Sequence, residues 1–116
     1  MKREYESNEE GKNLFQSLLE RNNSVMLLIY PETGKIRDSN KAAKNYYGYK
    51  NLDSLNIKTI NQLTDNEIKK YINRASTKEK NHFEFKHLLA DGSIRDVEVY
   101  STPVTFQKKT LLFSII

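Results

Sequence analysis

The stretch that decides the fold is SNKAAKNYYGY, residues 39–49. It places Ala42 and Ala43 side by side, then sets Tyr46, Tyr47 and Tyr49 around Gly48. Ser39 or Asn40 can cap a helix by accepting a backbone N–H. The spacing predicts about two helical turns over residues 41–47, closed by Gly48, where a helix ends with a positive φ. Ala42, Ala43, Tyr46 and Tyr47 then share one face. The alanines let the helix backbone lie close against a sheet, while the tyrosines fill the rim and keep their hydroxyls near water. The stretch describes a short helix clamped onto strands, with Tyr49 folding back on its last turn.

The strands are legible on both sides of it. VMLLIY, residues 25–30, is apolar throughout, too short for a buried helix, and reads as an inner strand covered on both faces. PETGK supplies a turn and IRDS a second short strand, which predicts a hairpin over residues 25–39. Upstream, Leu14, Phe15, Leu18 and Leu19 form one apolar stripe on a helix that Asn22, Asn23 and Ser24 end. Downstream, residues 51–64 carry Leu52, Leu55, Ile57, Ile60 and Leu63 without one period, which predicts several short helical turns. Asp65 is the expected cap of a longer helix with Ile68, Tyr71, Ile72 and Ala75 on its apolar face. HFEFKHLL alternates, with Phe83, Phe85, His87 and Leu89 on one side. The Asp91-Gly92 pair marks a hairpin turn. IRDVEVYSTPV alternates again, with Pro103 expected at an edge or bulge. After a turn at TFQKK, TLLFSII is the last strand. The order predicts an α+β fold: a five-stranded antiparallel sheet with helices packed on one face and a flanking N-terminal helix.

Composition narrows the function. The chain has 116 residues, a net charge of +4 and no cysteine, which fits one domain without disulfides or thiolate chemistry. No run reaches the ~18 apolar residues of a membrane span and no signal-peptide pattern opens the chain. A cytoplasmic location without direct membrane contact is expected. Lysines and arginines interleave with acids, as in KREYE and IRDVEVY, which argues for a mixed solvated surface and against nucleic acid as a partner. His82 and His87 lie five apart, on opposite faces of a strand, a poor arrangement for a shared metal. No nucleophile elbow or glycine-rich phosphate loop is present. These residues supply no catalytic set and no metal site.

The ordered pieces resemble the PAS domain family of sensory signalling modules over about residues 14–116. LFQSLLERNNSVMLLIYPETGKI looks like the leading helix, first strand and first turn. DSNKAAKNYYGY looks like the family's Asn-x-Ala-Ala helix ending in Gly-Tyr. FEFKHLLADGSIRDVEVYSTPV looks like the late hairpin, and LLFSII like the final strand. One departure is the lack of a glycine near Asn56 and Ile57, where asparagine can substitute in left-handed geometry.

Residues 1–12, charged and without apolar periodicity, are expected to be a flexible lead-in or linker helix, and the resemblance implies one PAS domain over residues 13–116, cut from a longer signalling protein of histidine kinase or diguanylate cyclase type. It implies a non-catalytic sensory or dimerisation role, with a small ligand or partner relaying a change to a C-terminal effector. The alternatives are a ligand-free protein-interaction or dimerisation module or, with less support, a basic nucleic-acid-binding domain. The candidate pocket residues are Leu28, Tyr30, Tyr47, Ile60, Leu63, Ile68, Ile72, Phe85 and Val99, with the Tyr47 hydroxyl as a polar handle. Asn40, Ala43, Gly48, Asp91 and Gly92 are the structural motif. Leu14, Phe15, Leu18, Leu111 and Phe113 are candidates for a homodimer contact. The cofactor is unknown; no histidine stands in the helix over residues 65–77, and no cysteine exists, which argues against haem and cysteinyl-flavin chemistry.

Overall fold

A computed structural model describes residues 16–106 and 108–116. Residues 16–20 are helical. The elements that follow are β1 (Met26–Ile29), β2 (Ile36–Ser39), α1 (Lys41–Tyr47), a 3-10 turn (Leu52–Ser54), α2 (Ile57–Ile60), α3 (Asp65–Ser76), β3 (His82–Leu88), β4 (Ile94–Phe106) and β5 (Lys109–Ile115). The strands form one five-stranded sheet in the order β2-β1-β5-β4-β3, and every neighbouring pair is antiparallel. The last strand thus lies beside the first at the centre of the sheet.

Strand alternation divides the apolar residues between two faces. The helix-covered face collects Leu27, Ile29, Tyr47, Ile60, Ile68, Tyr71, Phe83, Val99 and Leu112 into one core. A second cluster joins Leu19, Met26, Leu28 and Leu111, with Tyr30, Val104, Phe113 and Ile115 at its margin. Leu19, from the helical residues 16–20, closes over the outer face, and burial there stabilises that segment in proportion to the apolar area removed from water. Leu28 is fully buried but belongs to this outer cluster, as does the margin residue Tyr30. Both were expected to line the interior; an apolar run with two covered faces gives no sign of which face turns inward, and β1 directs Leu27 and Ile29 there instead.

The alanine–tyrosine segment sits as its spacing requires. Asn40 caps α1, its Oδ1 accepting from the Ala43 N–H, and Gly48 ends it at φ 79°. Ala43 has no exposed surface and Tyr47 is 1% exposed. Tyr49 is partly buried against the core that holds Ala43 and Tyr47, and its hydroxyl donates to the Leu88 carbonyl at 2.7 Å, tying the helix exit to β3. The cap of α3 is Thr64, one residue before the expected Asp65, and forms a reciprocal capping box with Glu67. A threonine with glutamate three positions on satisfies two helix-end donors, which an aspartate at position 65 would not. Asn56 is extended (φ −97°) rather than left-handed; it caps α2, its Oδ1 accepting from the Lys58 N–H.

The late hairpin turns at Gly92, with φ 90°, where the Asp91 carboxylate accepts from the Ser93 N–H at 2.8 Å. β4 pairs with β3 only as far as Tyr100, while its pairing with β5 continues to Phe106. Pro103 therefore occupies an inner strand of the sheet at a point where one flank is open, which accommodates its missing N–H. Residues 1–12 and the dimer candidates Leu14 and Phe15 lie outside the described residues.

Candidate functional site

The helix-covered core contains a small, mostly apolar hollow. Leu27, Ile29, Ile57, Ile60 and Val99 form its apolar wall, and Asn61, Tyr71, Phe85, His87 and Ser114 bring rings and polar groups to it. Its volume is about 20 Å³, room for roughly one water molecule. Of the residues expected to line a pocket, Ile60, Phe85 and Val99 do so. Tyr47, Ile68 and Ile72 are packed into the core, and Leu63 lies partly buried against it.

Three hydroxyls cross the centre of the sheet. Ser101 and Ser114 face one another on β4 and β5, with their oxygens 2.8 Å apart. The Tyr71 hydroxyl lies 2.8 Å from Ser101 Oγ and 3.4 Å from Ser114 Oγ. Burial raises the Tyr71 pKa above the usual phenol value, and the two serine contacts oppose that shift. The group stays a neutral phenol whose hydrogen bonding is met from within.

His87 forms the second polar element. Its Nδ1 lies 2.8 Å from the Tyr47 hydroxyl, so the hydroxyl expected to greet a ligand is already engaged. Burial lowers the His87 pKa to about 4 and raises that of Tyr47, which leaves two neutral partners bridging α1 and β3. Rings stack along the same face of β3: Phe83 on Phe85 at 5.6 Å between centroids, and Phe85 on His87 at 6.1 Å. The Tyr71 ring meets Phe83 and Phe85 edge-on, each at 4.8 Å. This aromatic wall is held by α3 and by the β3–β4 register.

Asn61 is the residue the sequence reading missed. It is 4% exposed, and its Oδ1 is buried without a hydrogen-bond partner among the described residues. A lone asparagine between short helical turns carries no periodic signal that would mark it as interior. Its position follows from a bridge to His87 that lays the α2 exit along β3.

Asn40, by contrast, is fully engaged: Oδ1 accepts from Met26 N at 3.1 Å and Ala43 N at 3.0 Å, while Nδ2 donates to the Ser24 carbonyl at 2.6 Å and the Asn22 carbonyl at 3.1 Å. On the outer face His82 stacks on Tyr100, centroids 4.7 Å apart, and lies 3.4 Å from Glu98. Of the outer-face dimer candidates, Leu111 is 1% exposed and packs within its own chain, whereas Leu18 is 62% exposed and Phe113 is partly buried. Among the described residues no group of three His, Cys, Asp or Glu side chains is placed to hold a metal ion, and no helix is long and apolar enough to cross a membrane.

The central pairing of first and last strands, the short capped helices over one face and the late hairpin are those of the PAS fold. A PAS domain of an HTR-like protein from Haloarcula marismortui superposes with a TM-score of 0.77 at 21% identity, covering 92% of this chain and 90% of that one. A domain of a sensory box sensor histidine kinase/response regulator from Geobacter sulfurreducens gives a TM-score of 0.75 at 17% identity, covering 91% of this chain and 93% of that one. In sequence, the diguanylate cyclase DgcM of Escherichia coli K12 is 35% identical over 100 residues, 82% of this chain. The chain spans only 24% of that protein. No family model matches the sequence.

Proposed function

We propose that this chain is a sensory and dimerisation module of a cytoplasmic signal-transduction protein, of the histidine kinase or diguanylate cyclase type, and is not itself catalytic. The observation that carries the reading is the double duty of β1 and β5. Leu27, Ile29 and Ser114 reach the inner hollow, while Met26, Leu28 and Leu111 on the same strands hold Leu19 on the outer face. A small molecule that shifts these strands from inside would change the seat of the flanking helical residues, which is the differential interaction a population shift requires. Relay to an effector, a homodimer, and the absence of nucleic-acid and membrane partners belong to the same proposal.

A second reading, a ligand-free dimerisation module, is favoured by the hollow's volume of about 20 Å³, far below the ~300 Å³ at which small-molecule sites begin. Native mass spectrometry of the purified protein, with an absorption spectrum, separates the two. The sensory reading expects a retained small molecule or a dimer that responds to one. A ligand-free dimer unchanged across a panel of metabolites would favour the second reading and overturn the first.

A further inference from the structure

The hollow and a much larger space have one lining residue in common, Phe85. This second space is an open groove of about 480 Å³, lined by Gln62, Leu63, Phe85 and Val97 together with charged residues. Gln62 and Leu63, just past the four-residue α2, contribute to its lining together with β3 and β4. Phe85 and Val97, paired across β3 and β4, are partly buried. The volume of the groove falls within the usual range for small-molecule sites.

Asn61 lines the hollow along with Phe85; it is 4% exposed and its Oδ1 is unpartnered among the described residues. A buried acceptor without a donor costs free energy that a ligand N–H or O–H would recover. The Tyr71, Ser101 and Ser114 hydroxyls already satisfy one another, whereas Asn61 Oδ1 is a buried acceptor left open. The place vacated by Phe85 would lie beside Phe83 and His87 and against the edge of Tyr71, a slot suited to a flat ring. Glu84, Asp96 and Glu98 stand at the rim against one cation, Lys86, which is paired with Asp96 at 2.6 Å. That rim disfavours anions.

We propose that Phe85 is a gate joining groove and hollow, and that the occupant is a neutral planar aromatic molecule donating a hydrogen bond to Asn61 Oδ1. This rests on the ligand-sensing reading above and names its ligand class. The test titrates indole, and 1-methylindole as the probe lacking a donor, into isotopically labelled wild type, Phe85→Ala, Phe85→Leu and Asn61→Leu, followed by NMR. Indole should move the resonances of Asn61, Tyr71 and His87. Phe85→Ala, with Phe85→Leu as the better-filled variant, should bind indole roughly tenfold more tightly, because the ring no longer has to be displaced. In wild type, 1-methylindole should bind roughly tenfold more weakly than indole, and Asn61→Leu should abolish that difference. Equal binding of the two probes, or unchanged affinity in both Phe85 variants, overturns the gate and the donor rule and leaves the sensory reading to its own test. If indole binds as expected but the resonances of Leu19 and Leu111 stay fixed, the site stands and the relay across the sheet falls.

Discussion

Replacing Asn40 with alanine should be among the costliest single changes in this chain. Asn40 is 1% exposed and joins three segments at once: the Asn22–Ser24 turn, the start of β1 and the first turn of α1. Losing the helix cap costs about 1 kcal/mol. The buried Met26 N–H, left without its acceptor, adds about 1–3 kcal/mol. The Asn22 and Ser24 carbonyls belong to exposed residues and can turn to water, so they add little. The sum is about 3 kcal/mol, which for a domain of this size lowers the melting temperature by roughly 10–15 °C. Urea unfolding followed by circular dichroism measures it, with Asn40→Ser as the dissecting variant. Serine can cap α1 but cannot reach the upstream turn, so it should recover about 1 kcal/mol of the loss. An Asn40→Ala protein within about 0.5 kcal/mol of wild type would refute the reasoning, since that is the range of an ordinary surface substitution.

His87 should make the protein acid-sensitive: its folded pKa is pushed down to about 4 from an unfolded value of about 6.5. The unfolded chain binds the extra proton in that window, so the contribution is intact above the unfolded value and falls by about 3 kcal/mol as pH drops through the folded one. Urea midpoints measured against pH should show this slope, and His87→Leu should flatten it. Tyr71→Phe should cost only about 1 kcal/mol in urea unfolding, because Ser101 and Ser114 remain 2.8 Å apart without the phenol; a loss above about 3 kcal/mol would contradict that bookkeeping. Gly48→Ala should cost about 1 kcal/mol through its φ of 79° alone, since the new methyl would meet only Ala90 at an ordinary 3.5 Å; thermal unfolding checks it. Leu18→Asp should leave the folding stability within about 0.5 kcal/mol yet shift a dimer toward monomer in analytical ultracentrifugation, and an unaltered association would remove Leu18 from the proposed contact.

The fold was legible where residues had one role. Ala43 and Gly48 admit few other places in a chain, and the alternation of Phe83, Phe85 and His87 named their shared face. The Asp91-Gly92 turn was equally plain. The interior was harder, for particular reasons. In VMLLIY every residue is apolar, so period two has nothing to contrast, and Leu28 was assigned to the side that Leu27 and Ile29 occupy. Ser101 and Ser114 look like solvent-facing strand residues until cross-strand register sets them opposite each other beneath Tyr71. Asn61 is hidden for a similar reason: only the bridge from the α2 exit to β3, a contact between distant segments, turns a loop asparagine inward. The candidate site thus depends on register and on long-range docking, neither of which local periodicity encodes.

The overhang of β4 past the end of β3 has a bearing on how copies of this chain can meet. An unpaired strand flank invites a strand from another molecule to add to it. Here Pro103 removes one backbone donor from that flank, and Lys78 and Lys80 line a surface depression together with Thr102 and Pro103. Cations and a missing N–H make strand addition there unfavourable. Growth of the sheet from one molecule into the next is discouraged at that flank.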